Sequence, residues 1–167
     1  MLDRLAISKS PVNLLISDSN ELDLEIFKPM HHISIRTADI FRSIEFYQCL
    51  GFTVTERFTT GYTLACWLQD DCSRLELIQI PQPKPAPDAF SDEHYVGYYH
   101  ICFDLTAIAP NLNTWLTELT AKLQAAAQPI PTILLPPTQQ MIGVTLYEVT
   151  FLADPDNLPL EFNRSLT

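Results

Sequence analysis

Two histidines and two glutamates, His32, Glu76, His100 and Glu161, are the residues of this chain best suited to chemistry. Two imidazoles and two carboxylates form a donor set for a divalent cation. They recur in the same order in each half of the chain. His32 leads Ile-Ser-Ile-Arg and His100 leads Ile-Cys-Phe-Asp; Glu76 closes Asp71-Cys-Ser-Arg-Leu-Glu and Glu161 closes Asp156-Asn-Leu-Pro-Leu-Glu. His…Glu, His…Glu is therefore an internal repeat, and the repeated part is a set of candidate metal ligands.

Alternation gives the repeat physical content, because side chains on a strand point to opposite faces with period two. Ile33 and Ile35 flank Ser34, Leu75 and Leu77 flank Glu76, Tyr99 and Ile101 flank His100, and Leu160 and Phe162 flank Glu161. With the apolar set turned toward helices, all four candidates face the other way, and strands curved around one cavity would bring them together. A polar group set in an apolar strand is costly to bury unless something satisfies it. A divalent cation satisfies all four at once.

Each residue alone has a plainer role. A glutamate in mid-strand pairs with a nearby arginine, and Arg74 shares the parity of Glu76. A histidine at a strand start is more often structural than a ligand. Matching positions in two modules favour the metal. His31 has the opposite parity to His32 and reads as structural or solvated.

The elements that must position these groups form two similar sets. His32–Thr37 reads as a strand, Asp39 as the N-cap of a helix over Ile40–Leu50, and Gly51 as its left-handed end. Phe52–Thr59, Tyr62–Gln69 and Arg74–Ile80 follow as strands separated by turns. A stiff proline-rich connector, Pro81-Gln-Pro-Lys-Pro-Ala-Pro, and an acidic stretch make a link over 81–96. Beyond it, Tyr98–Leu105 reads as a strand. Leu112, Trp115, Leu116, Leu119 and Leu123 mark an amphipathic helix stopped by Pro129. Thr132–Leu135, Val144–Leu152 and Leu158–Asn163 supply three more strands. The expected fold class is α+β: two paired βαβββ modules, 30–80 and 97–167, whose curved mixed sheets form a cavity, preceded by an N-terminal extension over 1–29.

Bulk properties narrow the partners. At 167 residues, 47% hydrophobic and 18% charged, the chain can bury a well-formed core. A net charge of −10 shows no basic footprint for a phosphate backbone, so nucleic acid is an unlikely partner and a small molecule the expected one. No leader pattern and no membrane-length apolar run are visible, and Cys49, Cys66, Cys72 and Cys102 lack paired spacing, which reads as free thiols in the cytoplasm. Cys102 shares the parity of His100 and is a candidate neighbour of the site.

The stretches His32-Ile-Ser-Ile-Arg-Thr-Ala-Asp-Ile, Ser43-Ile-Glu-Phe-Tyr and Leu50-Gly-Phe, with Asp154-Pro-Asp-Asn-Leu-Pro-Leu-Glu near the end, resemble the signatures of the vicinal-oxygen-chelate proteins. That group holds the glyoxalase, bleomycin-resistance and extradiol-dioxygenase families. The resemblance covers about 30–164 and implies metal positions at His32, Glu76, His100 and Glu161. Asn157 stands where the family usually has glycine, and asparagine also tolerates a left-handed turn. Pro159 is less usual and suggests an irregular or edge position for the last strand.

The four donors leave two adjacent positions open on a six-coordinate ion; nickel, zinc, cobalt, manganese and iron(II) all suit them. Two open positions chelate neighbouring oxygens of a hydroxy-carbonyl substrate, and the metal stabilises the enediolate left by proton removal. In glyoxalase-like relatives the last glutamate carries that proton, which assigns the role to Glu161 with Glu76 as second choice. The resemblance places Arg36 where glyoxalase I has an arginine for a glutathione carboxylate, so an anionic substrate is implied. Arg74, Trp67 and Cys102 are further substrate-binding candidates, and Phe58, Tyr98 and Glu148 further candidates for the cavity wall. The expectation is thus a cytoplasmic, metal-dependent isomerase, epimerase or lyase. An iron(II) ring-cleaving dioxygenase and a non-catalytic binding or resistance protein are the alternatives, and the modules pair either within one chain or across a homodimer.

Overall fold

The computed structural model describes residues 29–167, so residues 1–28 of the expected extension lie outside it. The elements belong to one compact unit, His31–Thr167. Its first half holds β1 (Ile33–Thr37), α1 (Ile40–Cys49), β2 (Thr53–Thr60), β3 (Thr63–Gln69) and β4 (Arg74–Gln79). Its second half holds β5 (Ile101–Asp104), α2 (Leu112–Ala125), β6 (Ile133–Ile142), β7 (Thr145–Ala153) and β8 (Pro159–Ser165). The sheets run β1-β4-β3-β2 and β5-β8-β7-β6, each with its first strand parallel to its last and the remaining pairs antiparallel. The expected α+β class and the two βαβββ modules are both present.

Local chemistry sets the helix ends. Asp39 is the N-cap of α1, its Oδ1 accepting from the backbone N–H of Phe41 and Arg42. Gly51, with φ +107°, takes the chain out of the helix in a conformation costly for a side chain. Asn111 caps α2 by accepting from Thr114 N–H. The Glu148 carboxylate accepts from Leu112 N–H in the first turn of α2 and pairs with Arg164 at 3.5 Å. Glu148 therefore lies beneath α2, not in the cavity wall expected of it.

The helices and the helix-facing sides of both sheets share a single core. Ile35, Tyr47, Leu68, Leu75 and Leu77 of the first module join Leu112, Leu123, Leu152, Leu160 and Phe162 of the second. Phe52 meets Phe103 across the module boundary with ring centroids 6.0 Å apart. A polar clasp reinforces this seam. Asp156 accepts from Thr37 Oγ1 at 2.6 Å, from Ala38 N–H at 3.2 Å and from Arg42 Nη2 at 3.0 Å. Tyr47 donates its hydroxyl hydrogen to the buried Asp154 carboxylate at 3.1 Å.

Three sequence expectations change. The strand expected over Tyr98–Leu105 is only Ile101–Asp104, and Tyr98 is fully exposed in the single chain. The strand expected over Thr132–Leu135 runs on to Ile142, through Pro136 and Pro137. Both prolines are tolerated because β6 is an edge strand, and its register with β7 shifts there. Pro159 opens β8, a central strand: a first residue need not donate to the ladder, so no edge is required. Asn157, at φ 66°, occupies the left-handed turn expected of it. No helix among the described residues is long and apolar enough to cross a membrane.

Candidate functional site

Both histidines sit one residue ahead of the first strand of their module, and both glutamates lie on the parallel strand beside it. Ser34, two residues after His32, is in register with Glu76; Cys102, two residues after His100, is in register with Glu161. The third strand completes the pattern. Trp67 lies opposite Glu76 and Phe151 opposite Glu161. The two modules thus present the same constellation on the sheet face away from the helices, because Leu75 and Leu77, like Leu160 and Phe162, fill the core on the other face.

In the first module His32 Nε2 lies 3.6 Å from Glu76 Oε2; in the second, His100 Nε2 lies 2.7 Å from Glu161 Oε2. The pairs are recessed, with the two glutamate side chains 15% and 11% exposed, yet open enough for a ligand to reach them. His100 Nδ1 is buried without a hydrogen-bond partner. Each pair offers an imidazole and a carboxylate in hydrogen-bond or near-contact range, a donor set that fits a divalent ion. One chain does not unite the pairs: among the described residues no three His, Cys, Asp or Glu stand close enough to hold one ion. The shared core joins the modules through their helix sides, which leaves the two His–Glu faces apart.

Aromatic rings wall both pairs. Trp67 packs edge-on against His32, with centroids 4.7 Å apart, and Phe58 lies against Trp67 at 5.4 Å. Tyr99 and Phe151 pack on His100 at 4.6 and 5.1 Å, and Phe90, from the proline-rich link, stacks on Tyr99 and lies tilted against Phe151. Burial, then the Glu161 charge, raises the Tyr99 phenol above its ordinary value. Desolvation, then that same charge, pushes the Cys102 thiol up to about 12, so it stays protonated at neutral pH. Asn163 Nδ2 approaches both Cys102 Sγ and Glu161 Oε1.

Two arginines fare differently. Arg36 shares the face of Ser34 on β1, is exposed and joins no ion pair among the described residues. Arg74 does not pair with Glu76. Its Nη1 donates to His31 Nε2 at 2.9 Å, its Nη2 donates to Gln69 Oε1 at 3.0 Å, and its guanidinium lies over the Trp67 ring. His31, expected to be merely structural or solvated, has its Nδ1 2.9 Å from His32 Nδ1 and packs edge-on against Trp67.

His31, Phe90, Tyr99, Phe151 and Asn163 are site neighbours that sequence reasoning missed; Tyr99, grouped there with the helix-facing apolar set, packs on His100 instead. The register of the repeat would have found Phe151, which answers Trp67; nothing in the sequence marks Phe90. A cleft of about 170 Å³, lined by Arg42, Phe46, Pro129, Pro131 and Asp154, lies on the helix side, away from both His–Glu pairs.

Residues 30–162 match the family model of the Glyoxalase/Bleomycin resistance protein/Dioxygenase superfamily. No curated protein matches the chain. Among solved structures, a glyoxalase family protein from Enterococcus faecalis is 23% identical with a TM-score of 0.62, covering 83% of this chain and 98% of that one. A glyoxalase family protein from Bacillus cereus is 14% identical with a TM-score of 0.62, covering 88% and 100%. A glyoxylase/bleomycin resistance protein/dioxygenase domain from Frankia sp. EAN1pec is 17% identical with a TM-score of 0.56, covering 83% and 98%. At these identities the likeness is one of fold.

Proposed function

Because this chain belongs to the Glyoxalase/Bleomycin resistance protein/Dioxygenase superfamily, we propose that it is a divalent-metal-dependent isomerase, epimerase or lyase. Its substrate is a small molecule with adjacent oxygens, a hydroxy-carbonyl compound or a carboxylate. The observation that carries this reading is the matched pair of His–Glu constellations, with the same register offset in both modules. Chance placement would not repeat a ligand-competent pair with an aromatic wall opposite it.

His32 and Glu76 would hold the ion from one side, His100 and Glu161 from the other. Since one chain leaves these faces apart, the complete site takes the first module of one copy and the second module of another, and the working form is a homodimer. When bound, the ion would supply Lewis-acid polarisation of neighbouring substrate oxygens.

The protein's own groups supply the rest. Glu161, 2.7 Å from His100 Nε2 in the metal-free chain, takes a proton from the carbon beside the carbonyl and returns it to the neighbouring carbon. Glu76 is the second choice for that role. Arg36, exposed and outside any ion pair among the described residues, offers a fork to a substrate carboxylate. Trp67 with Phe58, and Tyr99 with Phe151, give the substrate an apolar enclosure. The protonated Cys102 thiol is a weak donor beside Glu161 and not a nucleophile. Four free cysteines accord with a reducing, cytoplasmic setting.

Elemental analysis of tag-free protein, run beside sedimentation equilibrium, tests the reading. The expected result is a dimer with about one ion per chain, the ion lost in His100→Ala. A second reading has one observation in its favour, the separation of the two faces within a chain: a strict monomer without metal would be a non-catalytic binding protein. A monomer that takes up no nickel, zinc, manganese or anaerobic iron(II) would overturn the enzyme reading in its favour.

A further inference from the structure

The two half-sites are not identical, and one difference bears on the histidines. The residue two places before the glutamate is Arg74 in the first module and Pro159 in the second. Only the first therefore has a guanidinium beside its histidines. We propose that Arg74 and His31 form a tautomer lock on His32, which holds the metal-facing nitrogen protonated until the lock opens. His31 is a positioning residue in this account, and the proposal rests on the metal reading above.

Hydrogen-bond chemistry carries the argument. A guanidinium can only donate. Arg74 Nη1 is 2.9 Å from His31 Nε2, so that nitrogen must present its lone pair. His31 then carries its proton on Nδ1. That nitrogen lies 2.9 Å from His32 Nδ1, and of two ring nitrogens in contact one must donate and the other accept. His31 donates and His32 Nδ1 accepts. A neutral His32 is left with its proton on Nε2, pointing at Glu76 Oε2 at 3.6 Å. Trp67, edge-on to both imidazoles, keeps the rings in place.

A metal ligand needs a lone pair where this arrangement puts a hydrogen. For His32 to offer Nε2, the His31 Nδ1 proton must pass to His32 Nδ1. The His32 Nε2 proton must in turn pass, through solvent, to His31 Nε2. No proton is gained or lost in the exchange. It ends with His31 Nε2–H facing the Arg74 donor, so the Arg74–His31 contact has to open. In the second module the Glu161 carboxylate, an acceptor only, lies 2.7 Å from His100 Nε2 and also fixes a hydrogen there, but His100 Nδ1 has no hydrogen-bond partner to hold that tautomer from behind. The two halves of the site therefore differ in the lock itself: His32 Nδ1 faces the His31 donor, and His100 Nδ1 has no partner.

Nitrogen-15 NMR of the imidazoles in the metal-free protein reads the lock directly. Wild type should show His31 as the Nδ1–H tautomer and His32 as the Nε2–H tautomer. Arg74→Gln, whose amide oxygen accepts a hydrogen bond, should give mixed tautomers at both rings, and Arg74→Lys, a donor only, should restore the wild-type pattern. In a zinc titration against a chromophoric chelator, Arg74→Gln should bind about tenfold more tightly than wild type. An Nδ1–H tautomer at His32 of the wild type, or tighter binding by wild type than by Arg74→Gln, would overturn the lock. Were no variant to bind zinc, the metal reading would fail, and the metal-free tautomers would still decide for or against the Arg74–His31–His32 order.

Discussion

Tyr47 of α1 and Asp154, before β8, meet at 3.1 Å in the buried seam between the modules. Burial is the main cause that lifts the Asp154 carboxyl to about 6, against the lowering pull of the Leu158 and Asp156 backbone N–H groups and of the Tyr47 hydroxyl. The nearby Asp156 charge adds to the rise, and the Tyr47 phenol is raised in turn by burial and by Asp154. A carboxyl raised above its unfolded value binds its proton more tightly in the folded chain. The stability it contributes is fully present below its unfolded pKa of 3.8 and is lost as pH rises through about 6. Urea unfolding should show wild type losing, between pH 4 and pH 7, on the order of 2–3 kcal/mol relative to Asp154→Asn. Parallel pH profiles of the two proteins would refute this.

Asp156 holds the other half of the clasp, accepting from Thr37, Ala38 and Arg42. Removing it in Asp156→Ala leaves the buried Thr37 hydroxyl with Ser43 alone as a side-chain partner. A loss of about 1–3 kcal/mol is expected in chemical denaturation. Midpoints that coincide with wild type would show the clasp to be energetically idle.

Asn157 turns the chain between the two aspartates and β8 at φ 66°. Asn157→Ala should lose about 1–2 kcal/mol, since a β-carbon disfavours that conformation, while Asn157→Gly stays near wild type. Thermal melts of the three proteins separate a backbone requirement from a side-chain one: equal losses in both variants would point to the amide instead.

Glu161→Gln should lower kcat by roughly 10²- to 10⁴-fold on a productive substrate, because the amide cannot shuttle a proton. A second readout needs no substrate. The Glu161 charge is one of the causes that raise the Cys102 thiol, so the variant should bring that thiol down and speed its alkylation by iodoacetamide. Unchanged alkylation would mean that the carboxylate does not act on Cys102.

How far the site could be read beforehand depended on where strand pairing begins. Glu76 and Glu161 lie inside hydrogen-bonded strands, so parity placed them on the correct face. Tyr99 precedes a strand that starts only at Ile101, where alternation no longer fixes direction, and it packs on His100 instead of turning toward the helices. Asp39 and Gly51 were legible because capping is settled by a few adjacent backbone groups. Pro136 and Pro137 were not, because a proline's tolerance depends on lying at a sheet edge, and only the assembled sheet reveals that. The separation of the His–Glu faces was invisible for the same reason: it follows from how two helices and two sheets pack.

The hydrogen bond from Thr37 to Asp156 joins residues 119 positions apart. On a ribosome adding roughly 5–20 residues per second, the first module, complete at Gln79, emerges some 4–15 seconds before the aspartate that fastens it. Throughout that interval its apolar helix face has no partner to cover it. The nascent chain therefore passes through a stage in which half of the domain is made and none of it is closed, and this is the period of its life when a chaperone would matter most.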